Sequence, residues 1–141
     1  MFRTAALALA AVTFARAKPA LAAPGVLLAS DVFVEHSGDS GRVVERAGRL
    51  HPGDRVVTVL TWRRTGGGQF TLTNPLPRAL QFEDSASDAQ EVSVDGGRSW
   101  GRLGSLRVGN RVASPEDVTH IRWRILTPAP EGRIAYSAIV R

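Results

Sequence analysis

The stretch Arg55-Val56-Val57-Thr58-Val59-Leu60-Thr61-Trp62-Arg63 decides the fold class. In an extended chain it sets Val56, Thr58, Leu60 and Trp62 on one face and Val57, Val59 and Thr61 on the other. Successive side chains of a strand point to opposite faces, so this period of two describes a strand with one face packed. The Val and Thr content agrees, because a branched Cβ suits a pleated surface better than a helix.

The same period recurs on both sides of that stretch. Gln69–Asn74 turns Phe70 and Leu72 inward and Gln69, Thr71 and Thr73 outward. Thr119–Leu126 sets Ile121, Trp123 and Ile125 against His120, Arg122 and Arg124, and Arg133–Val140 sets Ile134, Tyr136, Ala138 and Val140 against Ala135, Ser137 and Ile139. Further strands are expected at Leu28–Glu35, Arg42–Arg46, Leu80–Glu83, Gln90–Val94 and Arg98–Leu103. Pro52-Gly53-Asp54, Gly66-Gly67-Gly68, Asn74-Pro75, Asp95-Gly96-Gly97 and the Pro128/Pro130 pair punctuate these runs. Ser114-Pro115-Glu116-Asp117 has the form of a helix start and predicts a single turn before the Thr119 strand. Seven to nine short strands so punctuated predict an all-β fold, an immunoglobulin-like antiparallel β-sandwich.

Residues 1–22 carry the pattern of a secretory signal peptide. Arg3 precedes an apolar run, Ala5–Ala15, and small-residue cleavage sites follow at Ala15-Arg16-Ala17 and Ala20-Leu21-Ala22. The run is well short of the roughly 20 residues of a membrane-spanning helix. Cleavage after Ala22 is expected, leaving one sandwich domain at 23–141 in the periplasm, on the cell surface or in the medium. Loss of Arg3, Arg16 and Lys18 takes the formal charge from +5 to 15 arginines against 13 acids, a net of +2. So small an excess does not point to nucleic acid, which requires basic residues gathered on one face. With no Cys among the 141 residues, disulfide scaffolds, thiol nucleophiles and Cys-ligated metal sites are excluded. With no Lys after Lys18, so is an internal Lys–Asn isopeptide bond in the processed chain.

Three segments resemble the bacterial conserved-repeat domain, an immunoglobulin-like domain of secreted and surface proteins. They are Leu50-His51-Pro52-Gly53-Asp54-Arg55-Val56, then Phe70-Thr71-Leu72-Thr73-Asn74-Pro75-Leu76-Pro77, and finally Ile121-Arg122-Trp123 through Pro130-Glu131-Gly132 to Ile134 and Tyr136. The likeness covers about residues 45–140. Arg64 stands where the family usually carries asparagine, and Asn74 where it carries an acid. The resemblance implies a fold and an exported location, and it brings no catalytic residues.

Ser93-Val94-Asp95-Gly96-Gly97-Arg98-Ser99-Trp100 fits the Asp-box pattern S-x-D-x-G-x-[ST]-W. Its physics is that of a turn: Asp95 accepts backbone N–H bonds, the glycines supply positive φ, and Trp100 packs beneath. Ser93, Asp95, Gly97 and Trp100 are therefore expected to build a structural hairpin. His120, Arg122 and Arg124 share the polar face of one strand, with Arg133 expected on its neighbour, and form the candidate interaction patch, suited to an anionic polysaccharide or lipid head groups. The acidic run Glu83–Asp88 lacks the alternating ligands and central glycine of a calcium loop. His36, His51 and His120 show no metal or nucleophile spacing. Trp62 and Trp123 lie on apolar strand faces and belong in the core.

No cofactor, metal or catalytic group is expected. The signal peptide, the strand pattern and the lack of a chemical constellation point to an exported, non-catalytic structural or interaction module of the bacterial envelope, partnered by another envelope protein or a polysaccharide and without a transmembrane segment. The rival reading is a carbohydrate-binding module built on the Asp-box loop and exposed aromatics.

Overall fold

The computed structural model describes residues 25–85, 87 and 89–141, so the signal-peptide reading of residues 1–22 lies outside the described residues. Within them the chain is all-β and every strand pairing is antiparallel. The strands are β1 (Val26–Gly38), β2 (Gly41–Arg46), β3 (Arg55–Arg64), β4 (Phe70–Pro75), β5 (Leu80–Ser85), β6 (Gln90–Ser93), β7 (Arg107–Val108), β8 (Arg111–Val112), β9 (His120–Ile125) and β10 (Glu131–Val140). A larger sheet runs β2-β1-β3-β10-β5, a smaller one β4-β9-β6, and β7 and β8 form a separate hairpin.

The two sheets face each other across one core, and the alternation anticipated for β3 holds. Val56, Thr58, Leu60 and Trp62 are buried, as are Leu72, Ile121, Trp123 and Val92 of the smaller sheet. Trp62 meets Phe70 edge-on across the layers, with ring centroids 5.1 Å apart, and Trp123 lies 5.9 Å from Tyr136. Polar atoms trapped between the layers are paired. Asn74 Nδ2 donates to the Tyr136 hydroxyl at 3.0 Å, and Trp123 Nε1 donates to Ser85 Oγ at 3.1 Å. Burial pushes the Tyr136 hydroxyl above its ordinary pKa, although Thr58 and Asn74 oppose the shift.

Arg64 continues the inward face of β3 and is only 8 % exposed. Its guanidinium donates to the carbonyl oxygens of Ala129 at 3.0 Å, Gly68 and Thr127. It also sits over the rings of Trp62 and Phe70, 5.6 and 5.0 Å from their centroids. One side chain thus ties the β3–β4 loop to the connection between β9 and β10. On the opposite, outer face of the larger sheet, Arg42, Glu35, Arg55 and Glu83 form an ionic row across the strands. Partial burial would raise the Glu83 carboxyl, but bonds from Arg55 and Ser137 outweigh it and hold the pKa below its usual value.

Gly132 pairs directly with Trp62 across β10 and β3. A Cβ there would stand 2.4 Å from Trp62 Cζ2 and 2.7 Å from Cε2, inside a ring that is 2 % exposed and has nowhere to move. Gly132→Ala is expected to cost about 1–3 kcal/mol, the usual penalty for overpacking. The midpoint of chemical unfolding measures it, and an unchanged midpoint would show that Trp62 is free to shift.

Two expectations are corrected. Arg98–Leu103 is not a strand, because Asp95 captures the N–H groups of Arg98 and Ser99 and holds the chain in a turn; only Gly101 bridges to β6. Arg133 does not neighbour Arg124. The Pro128/Pro130 connection carries the chain from one layer to the other, so β9 and β10 lie in different sheets. The β7–β8 hairpin was not anticipated; its two-residue strands are too short to show a period. The turn at Ser114 is as expected: a 3-10 turn over Pro115–Asp117 with both halves of the capping box formed.

Candidate functional site

The outer face of the smaller sheet gathers the residues singled out from sequence. His120, Arg122 and Arg124 run along the central strand β9, opposite Pro75, Thr73 and Thr71 of β4. On the other side Arg122 faces Glu91 and His120 faces Ser93 of β6. Ser93 is nevertheless fully buried, because the Asp-box turn folds back over it.

That turn is held almost wholly by two side chains. Asp95 Oδ1 accepts from Ser93 Oγ at 2.8 Å and from the N–H groups of Arg98 and Ser99 at 3.0 and 2.9 Å, while Oδ2 accepts from Ser99 Oγ at 2.5 Å. Ser93 Oγ in turn accepts from Gly97 N at 2.8 Å. Gly96 and Gly97 have φ of 80° and 90°, the left-handed region that a Cβ disfavours. Thr119 completes the brace, its Oγ1 accepting from Gly96 N at 3.1 Å and donating to Ser93 O at 3.2 Å. No motif marks Thr119 or Glu91; only the β6–β9 register brings them to the turn.

Trp100 is half-buried and committed on two sides. Its Nε1 donates to Gly97 O at 3.1 Å, and the Arg122 guanidinium lies over its ring at 4.5 Å. Arg122 is also bound to Glu91, with Nε 2.7 Å from Oε2. His120 stands edge-on to Trp100 and shares a 3.0 Å contact with Thr119 Oγ1, a hydroxyl already bonded within the turn. Arg124 is exposed on the same face. The arrangement can present a rigid, mildly basic surface, and its aromatic ring serves the turn. Among the described residues no group of three His, Asp or Glu side chains is placed to hold a metal ion.

Bonds from Ser99 and Ser93 hold the Asp95 carboxyl far below the ordinary aspartate range. The Arg111 guanidinium and Ser114 do the same for Asp117. A carboxyl whose pKa is lowered by folding stabilises the fold fully above its unfolded value, about 3.9 for Asp. That contribution is lost as pH falls from there toward the folded value. The chain is therefore expected to lose stability on acidification below about pH 4. Thermal unfolding between neutral and strongly acid pH tests this, and the paired change Asp95→Asn with Asp117→Asn should flatten the acid limb. An acid limb as steep in that variant as in the parent would show that other carboxyls carry it.

Comparison with protein-family models, with curated proteins and with solved structures finds no match to this chain.

Proposed function

We propose that the chain is an exported, non-catalytic structural or interaction module of the bacterial envelope, whose partner is another envelope protein. The layering supports an immunoglobulin-like sandwich similar to the conserved-repeat domain, with β1-β3-β10-β5 facing β4-β9-β6 and β2 added at one edge. The order along the sheets departs from the immunoglobulin order, in which the last strand lies at an edge, for here β10 lies inside the larger sheet. The observation that carries the interaction reading is the unequal width of the layers. A five-strand sheet faces a three-strand sheet, so the larger one extends past the smaller at β1 and β2. The ties of Trp100 to Gly97 and Arg122 argue against its serving as a sugar platform.

Crosslinking the purified chain to envelope extract is the test. A specific protein retained in stoichiometric amount is the expected result, and no retained protein would count against the reading.

A further inference from the structure

Four strands border the two main sheets, and β1 is also open at residues 26–31, beyond the reach of β2, where Asp31 and its Arg46 partner bring charge. Three of the four bordering strands are guarded. β6 is closed by Gly101, which exchanges both backbone bonds with Val92 at 2.9 and 3.1 Å. β5 carries Glu83 and Asp84, and β2 carries Arg42, Glu45 and Arg46; charges on an edge discourage further pairing. β4 is different. Phe70-Thr71-Leu72-Thr73-Asn74-Pro75 holds no charge, and among the described residues only β9 pairs with it.

The larger sheet continues past β4 on the other layer. On its inward face Val56, Leu60 and Trp62 of β3 are 2 % exposed or less. Val26, Leu28 and Val32 of β1 are only half-buried and Ser30 is exposed, and Val43 of β2 reaches 44 %. Val34 farther along the same face of β1 is buried, so cover ends over residues 26–32 of β1, beside the unpaired edge of β4.

We propose that the β4 edge accepts a single extended segment of a partner protein. The segment adds to the smaller sheet as a fourth strand and lays its apolar side chains on Val26, Leu28 and Val32. Backbone bonds along β4 supply affinity and the half-covered row supplies side-chain selection, as in strand addition generally. This rests on the interaction reading above.

A second copy of the chain does not fit as an antiparallel partner. Antiparallel pairing of β4 with its twin requires a two-fold axis perpendicular to the sheet, which puts both larger sheets in one layer. Strands lie about 4.8 Å apart, so the projecting β1 and β2 of each copy would occupy the same space. A lone strand brings no second layer and meets no such conflict. Its outward residues face one exposed cation: Arg124 stands opposite the short Thr71. An added strand would lie about 10 Å from β9, a gap that an arginine and a glutamate span together. The segment alternates apolar residues with acidic ones.

The probe is a short blocked peptide of alternating Val and Glu, compared with alternating Val and Lys and with a proline-interrupted version. Amide hydrogen exchange of the purified full chain is followed by NMR. The Val/Glu peptide is expected to slow the β4 amides by about 10-fold or more and to leave β2 unchanged. Arg124→Glu should reverse the preference toward the Val/Lys peptide. Ser30→Arg fills the trough with a charged side chain from an exposed site, and should abolish the effect without moving the melting temperature. Failure of both peptides to protect β4, protection of β2 instead, or peptide-independent dimerisation through β4 would each overturn the proposal. An envelope protein crosslinked elsewhere on the surface would overturn it too, while leaving the interaction reading intact.

Discussion

Trp123→Ala is expected to lower the free energy of unfolding by about 3–5 kcal/mol, the range for emptying a large aromatic site in a core. Trp123 is 0 % exposed, at the centre of the middle strand of the smaller sheet. Its ring packs on Tyr136, and its Nε1 reaches across the layers to Ser85. Removal loses the burial, the ring contact and the bond together, and no flexible neighbour can fill the space. Small domains are stable by roughly 5–15 kcal/mol, so the variant should sit close to unfolding at room temperature. Trp123→Phe keeps most of the volume and should cost only about 1–2 kcal/mol, chiefly the lost bond and a small void. Denaturant titrations of both variants give the two numbers, and equal losses would assign the effect to the hydrogen bond alone.

Arg64→Met is expected to cost about 2–4 kcal/mol, since bonds from a charged donor are strong and three acceptors lose their partner. Gly68, Thr127 and Ala129 supply those carbonyls from two separate loops, so the loss should loosen both loops at once. Hydrogen exchange should quicken around Gly68 and Thr127, while the β1–β2 hairpin stays as in the parent. Arg64→Lys should recover less than half of the loss, because a compact ammonium cannot span acceptors placed for a planar fork. Full recovery by lysine would reduce the role of Arg64 to its charge.

Arg64 also shows where legibility in the sequence ends. Period-two alternation located β3, β4, β9 and β10, because each turns its larger apolar side chains to one face, although in β10 Ser137 on the other face is buried as well. The same alternation puts Arg64 on the inward side, yet an arginine at a strand end reads as exposed until the carbonyls that receive it are known. The Asp-box turn was legible because its bonds join residues within one short segment. Pairing across distance was not. Thr119, Glu91 and the stacking of Arg122 on Trp100 depend on the β6–β9 register, and no local pattern encodes that register. The layer assignment of Arg133 failed for the same reason, since adjacency in sequence suggested a hairpin where the chain changes sheets. The unequal width of the sheets, on which the proposed docking edge rests, is likewise a product of strand order alone.

The position of β10 has a consequence for how the molecule comes to be folded. This last strand lies between β3 and β5 and is bonded to both, with partners about 70–85 and 50–60 residues earlier in the chain. Until it emerges, the half-formed layer has a gap down its middle, so a nascent polypeptide cannot close the domain piecemeal behind the ribosome. Such distant pairings make assembly slow and concentrate it in one late event. The larger sheet stays incomplete for as long as β10 is held back.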